Sequence, residues 1–123
     1  MPNPVVHFEI IGTAPKRLHE YYGKLFGWTY ELGDSSSAAV SEPGQYGFVP
    51  DTVAGINGGV AGGSSMRPNV LFYVGVDDVE TALAQAEALG GRRVLGPEGV
   101  AGMLVVGQFT DPEGNLIGVA GSR

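Results

Sequence analysis

GINGGVAG, residues 55–62, and GNLIGVAG, residues 114–121, agree at five of eight places when set side by side: Gly55/Gly114, Gly59/Gly118, Val60/Val119, Ala61/Ala120 and Gly62/Gly121. A phrase written twice in 123 residues is either a pair of phosphate-cradling loops or one structural unit repeated. The loop reading fails on its own terms. GINGGVAGG holds neither G-x-G-x-x-G nor G-K-[ST], and it runs into SSMRP instead of a helix whose amides would hold an anion. The repeat reading extends beyond the glycines: a slide of 64 residues sets Val6 on Val70, Phe8 on Phe72, Leu25 on Leu89 and Gly27 on Gly91, while the octets match at 59. Order and spacing both survive, with a loop-length difference of five.

Each half follows the same grammar. Val5–Ile11, VVHFEII, is β-branched and aromatic and predicts a strand; Thr13-Ala14-Pro15 then reads as a helix start with proline in the first turn. Leu18, Tyr21, Tyr22, Leu25 and Phe26 recur at helical spacing until Gly27. In the second half Val70–Val76 predicts a strand, and Asp77 with Glu80 resembles a capping box. Val79, Ala82, Leu83, Ala86 and Leu89 form that helix's apolar stripe, ended by Gly90. Three short strands are expected after each helix: residues 29–32, 46–49 and 56–61, then 93–95, 103–109 and 116–120. GDSSSAAVSEPGQ reads as a loop, flexible at Ser35–Ser37, and AGGSSMRPN as a linker over about residues 62–69. The expectation is one domain, 1–123, with module one at about 1–63 and module two at about 69–123.

Composition excludes several classes. With 43% hydrophobic residues the chain can build a core, and 21 glycines with 8 prolines favour short strands over a helical bundle, so α+β is expected. No apolar run reaches the roughly 18–20 residues of a membrane span, and no basic leader precedes one, which points to a cytoplasmic protein without a membrane partner. The absence of cysteine removes disulfides and thiolate ligands. A net charge of −6 argues against nucleic acid. No G-x-S-x-G or other nucleophile signature is present.

Strand alternation assigns faces. Val6, Phe8 and Ile10 share the side expected to meet the helix, leaving His7, Glu9 and Ile11 on the other. Val70, Phe72 and Val74 repeat this, with Leu71 and Tyr73 opposite; Gly118 and Ala120 likewise turn from the helix. Two four-stranded sheets, each backed by one helix, can join and curl so that their helix-free faces line a trough. Glycine within a strand marks a bend or a close approach to the backbone.

VVHFEI with a helix and LFGW, GINGGVAG, FYVGVDDVETALAQAEALGG and FTDPEGNLIGV together resemble the glyoxalase, bleomycin-resistance and ring-cleaving dioxygenase superfamily, also called vicinal oxygen chelate proteins. The resemblance spans nearly the whole chain. It implies paired βαβββ modules, two four-stranded sheets curled around a cavity with one main helix per module, and commonly a homodimer. It also implies, in metal-dependent members, a divalent ion held by histidine and glutamate from the first and last strand of each module. Those places fall here on His7, Gly59, Leu71 and Gly118, of which His7 alone carries a donor.

One imidazole does not hold a divalent ion, since such sites take about three or four protein donors. His7 and Glu9 would supply two on one strand face, with Asp111 or a second chain completing the set. Two other readings stand beside this: a strand histidine hydrogen-bonded in a partly polar cavity, and a metal-free acid–base pair in which Glu9 tunes His7. His19, between Leu18 and Glu20, reads as solvent-facing, and Tyr21 and Tyr22 as core.

The functional expectation is therefore a small organic molecule bound without metal or other cofactor, at His7, Glu9, Trp28, Tyr46, Phe48, Gly59, Ala61, Leu71, Tyr73, Gly118 and Ala120. Gly59 and Gly118 are expected to leave room for it, and an aromatic wall would suit a planar ligand. The alternative is a lyase, isomerase or dioxygenase that uses an unconventional metal or a His7/Glu9 catalytic pair.

Overall fold

The computed structural model describes residues 2–35, 37–100 and 102–123. Ser36, in the middle of the expected flexible serine run, lies outside them. The described residues form eight strands and three helices: β1 (Val5–Gly12), α1 (Pro15–Phe26), β2 (Glu31–Gly33), β3 (Tyr46–Val49), α2 (Asp51–Ala54), β4 (Asn57–Gly62), β5 (Asn69–Gly75), α3 (Val79–Ala88), β6 (Arg92–Gly99), β7 (Val105–Thr110) and β8 (Leu116–Gly121). This is α+β architecture built from two βαβββ modules, with the four-residue α2 as an unforeseen turn. The chain divides into two compact units, residues 7–70 and residues 71–123 with residues 1–6. The N-terminal residues join the second unit through the Gly75 amide, which donates to the Pro4 carbonyl at 2.8 Å.

Within the first unit the strand order is β2-β3-β4-β1, and within the second it is β6-β7-β8-β5. The inner strands run parallel, β1 with β4 and β5 with β8, and the remaining pairs antiparallel. Corresponding residues take corresponding partners. Gly59 sits between Glu9 and Phe48, and Gly118 between Tyr73 and Gln108.

Proline at the first helical position starts α1, and Gly27, at φ 73°, ends it with its amide on the Gly23 carbonyl. Asp78, rather than Asp77, caps α3: its carboxylate accepts from the Thr81 amide at 3.0 Å. α3 lies across β6, β7 and β8 and buries Val79 and Leu83 against Val105 and Val119. Full burial of such a side chain stabilises by roughly 1.5–3 kcal/mol. Gly107 allows the close approach, for a Cβ there would stand 2.7 Å from Leu83 Cδ1.

In the first unit Gly47 plays the same part beneath His19, whose Nε2 would be 2.6 Å from a Cβ at that glycine. His19 is therefore not solvent-facing. It is half-buried, bonds through Nε2 to the Val60 carbonyl and lies 4.7 Å from the Tyr30 ring. Tyr21 is 58% exposed, so the expected core role fails there. Val70 and Phe72, expected under a helix, are also exposed, because α3 covers β6–β8 and leaves the outer side of β5. The segment after β2 is more ordered in its contacts than a flexible loop: Ser37, Val40 and Ser41 are buried, and the Ser41 hydroxyl exchanges two 3.2 Å hydrogen bonds with the Gly62 backbone.

Candidate functional site

Alternation along β1 puts His7, Glu9 and Ile11 on the face opposite α1, and the pairing of Gly59 with Glu9 and Phe48 brings β4 and β3 into register beside them. Tyr46, two residues before Phe48, shares that face. Its ring lies over Gly59, where a Cβ would be 2.1 Å from the phenol Cζ and oxygen. From there the hydroxyl reaches both members of the β1 pair. It donates to Glu9 Oε2 at 2.8 Å and meets His7 Nε2 at 2.7 Å. Because Tyr46 spends its one hydrogen on Glu9, its oxygen accepts from His7, which places the imidazole hydrogen on Nε2.

Glu9 is 3% exposed, so protein groups meet its carboxylate in place of water, the Tyr46 hydroxyl among them. Burial pushes His7 down from 6.5 to about 4, so its imidazole is neutral near pH 7. The His7, Tyr46 and Phe48 rings lie within 23° of coplanar orientation about the histidine, with centroids 6.3 and 6.5 Å from it. Ala61 is fully buried farther along β4.

Trp28 does not join this group. Its ring packs 5.3 Å from Phe8, 5.4 Å from Phe26 and 5.7 Å from Tyr22, on the α1 side of the sheet. It precedes β2, so the connection from α1 and not a strand places its side chain.

The second unit gathers Leu71, Tyr73, Val106 and Ala120 into a buried cluster of its own. The Tyr73 ring lies over Gly118, with a Cβ there 2.3 Å from Cδ2, and the Tyr73 hydroxyl accepts from Gln108 Nε2 at 2.9 Å. Gln108, which sequence reasoning missed, holds in β7 the place that Phe48 holds in β3. The repeat itself carried that signal, since each stands opposite the repeated phrase's glycine in the register. Gly59 and Gly118 thus do not leave open room, as expected from the sequence; each accommodates a tyrosine ring.

The metal set implied by the resemblance does not fit these residues. Gly59 and Gly118 supply no donor and are covered by aromatic rings, and Leu71 is packed in an apolar cluster. Asp111, the suggested completing ligand, instead caps its own turn, accepting from the Glu113 and Asn115 amides at 2.9 Å each. Among the described residues no group of three or more His, Asp or Glu side chains could hold an ion.

Paired βαβββ modules with repeated pairings define the class of protein to which the glyoxalases belong. The match of residues 8–120 to the glyoxalase-like domain family makes this chain a member of that family. No curated protein matches the chain by sequence. Among solved structures it is similar in fold to methylmalonyl-CoA epimerase from Mycobacterium tuberculosis, at TM-score 0.68 and 11% identity over 97% of this chain and 87% of that one. A second is methylmalonyl-CoA epimerase of Streptomyces coelicolor in complex with 2-nitronate-propionyl-CoA, at TM-score 0.65 and 16% identity over 96% of each chain. A glyoxalase/bleomycin resistance protein/dioxygenase superfamily member from Vibrio splendidus 12B01 gives 0.62 and 14%, over 98% of this chain and 99% of that one. At these identities the likeness is one of fold. No described helix is long and apolar enough to cross a membrane.

Proposed function

We propose that the protein binds a small organic molecule without a metal ion, on the helix-free face of its first module, with His7, Tyr46 and Phe48 as the surface that meets it. The observation that carries this reading is the His7–Tyr46–Glu9 hydrogen-bonded chain over Gly59. It engages both potential donors of β1 with a phenol and surrounds them with flat apolar rings. A binding surface of aromatic rings with few placed polar groups suits a planar ligand, and the net charge of −6 favours a neutral or cationic one. Leu71, Tyr73, Gly118 and Ala120 are proposed as the corresponding binding residues of the second module.

The test is a thermal-shift screen of planar aromatic amines, aromatic acids and acyl-CoA thioesters, run with and without Mn²⁺, Zn²⁺ and Fe²⁺. A saturable shift with an organic compound alone, reduced in His7→Ala, is expected. One tightly bound ion per chain in protein purified without chelator would overturn the metal-free reading.

The same chain favours a second reading, an isomerase-type proton transfer by His7 and Glu9. An imidazole kept neutral and linked through a phenol to a buried carboxylate has the parts of an acid–base pair. Methylmalonyl-CoA epimerases share the fold, so methylmalonyl-CoA is the first probe. Loss of its α-proton signal in D₂O, accelerated by the protein and abolished in Glu9→Gln, is the expected result. A homodimer in the cytoplasm is the proposed setting, checked by light scattering and by cell fractionation.

A further inference from the structure

We propose that the first module carries a second ligand site, a cavity between α1 and residues 68–70, and that it takes a monocarboxylate with an apolar body. The inference is independent of the function proposed above, because it draws on neither His7, Glu9 nor Tyr46.

The cavity holds about 570 Å³, within the roughly 300–1,000 Å³ of small-molecule pockets. Ile10, Leu18, Tyr22, Pro68 and Val70 give it apolar walls. The side chains of α1 lean away from its centre. Leu18 lies against the end of β1, where a Cβ at Gly12 would stand 2.6 Å from its Cδ1. Tyr22 packs toward Phe26 and Trp28, with ring centroids 5.9 and 5.7 Å away. Val70 on the opposite wall is 70% exposed, apolar surface that the body of a ligand would cover.

Charge selects the ligand. The chain has 13 aspartates and glutamates against 7 lysines and arginines, yet the residues lining this cavity include Arg17 and no acid. Arg17 enters no ion pair among the described residues; Glu20, three residues on, pairs with Lys24 at 2.9 Å instead. A guanidinium without a protein carboxylate at the wall of an apolar cavity matches an acid that brings its own apolar body. Its planar fork takes both carboxylate oxygens at once.

The neighbouring space limits the head group to one charge. A smaller cavity of about 420 Å³ shares Thr13, Ala14 and Arg17 with the first, and both Lys16 and Glu42 line it. It therefore adds no net positive charge, and a second anionic oxygen, as on a phosphate, gains nothing by reaching into it.

The test follows the intact chain by ¹H–¹⁵N NMR as decanoate is added below its micelle concentration. Saturable shifts are expected at Arg17, Leu18, Tyr22 and Val70. Arg17→Gln should weaken binding by about tenfold or more, the worth of a charge-assisted hydrogen bond, and Arg17→Lys should retain part of it. Arg17 is exposed, so both variants should keep the parent Tm. Decan-1-ol, with the same chain and no charge, should bind more weakly than decanoate and equally to the parent and Arg17→Gln.

Absence of a saturable shift overturns the proposal, as does equal affinity for decanoate and decan-1-ol, or decanoate binding untouched by Arg17→Gln. Tighter binding of decyl phosphate than of decanoate overturns the monocarboxylate assignment. Arg17 and Val70 signals that move with protein concentration and not with decanoate would give the cavity to a second copy of the chain. His7→Ala should leave decanoate binding unchanged, so failure at the His7 face and failure here are read separately.

Discussion

Gly59→Ala places one methyl group against the centre of the candidate site. The new Cβ would lie 2.1 Å from the Tyr46 Cζ and oxygen and 2.3 Å from Cε1, against the 3.4 Å or more of ordinary contact. The ring must retreat by more than about 1 Å, which stretches its 2.7 and 2.8 Å hydrogen bonds beyond useful length together. One of those bonds goes to a buried carboxylate, so their joint loss costs about 2–4 kcal/mol. The smaller entropy of an unfolded chain with alanine returns about 0.4–1 kcal/mol. The net is roughly 2–3 kcal/mol, or a fall in Tm of about 8–12 °C for a domain of this size. Calorimetry of Gly59→Ala, Tyr46→Ala and the double variant measures it. In the Tyr46→Ala background the alanine at 59 meets no ring, so its cost should nearly vanish. A Tm within 2 °C of the parent, or the same loss in both backgrounds, would refute the argument.

Three further results are expected. Stability should fall as pH drops from 6.5 to about 4, because there the unfolded chain protonates His7 and the folded one does not; the loss approaches about 3 kcal/mol and levels off below that window, and urea titrations of the parent and His7→Phe should differ by this slope. Gly118→Ala should displace Tyr73 and weaken its 2.9 Å bond from Gln108, lowering Tm by several degrees and moving the Tyr73 ring signals in NMR spectra. Gly107→Ala should destabilise from the opposite face, by about 1–3 kcal/mol of overpacking against Leu83 and Val79, while leaving the His7 tautomer unchanged.

The architecture was legible because the repeat constrained it twice. A slide of 64 residues paired strand with strand and helix with helix, and the octets marked the last strand of each module. The placing of His7 with Glu9 on one face of β1 followed from alternation, and in β5 alternation separated Leu71 and Tyr73 from Val70 and Phe72 but not whether a helix covers the latter pair. Two site details needed the register between strands. Tyr46 and Gly59 are 13 residues apart, and neither composition nor periodicity says that the ring of one covers the backbone of the other. His19 was misplaced for a more avoidable reason: the same slide of 64 sets it on Leu83, a buried helix position, so the repeat itself contradicted a solvent-facing histidine. Trp28, expected among the binding residues, lies in the connection before β2 and packs against Phe8, Tyr22 and Phe26.

The two glycines of the repeated phrase show how a metal-binding plan and a hydrogen-bonding plan exclude each other at one backbone position. A glutamate at 59 would begin with a Cβ 2.1 Å from Tyr46 Cζ, and one at 118 with a Cβ 2.3 Å from Tyr73 Cδ2. Adding a carboxylate donor to this chain is therefore not a single substitution, because the tyrosine must go with the glycine. Removal of Tyr46 in turn takes from the buried Glu9 carboxylate one hydrogen-bond donor and from His7 one partner. The loss of a donor to a buried carboxylate costs more than the bond was worth when made. Glycine and tyrosine form one unit on physical grounds, and the proposed metal-free site depends on both.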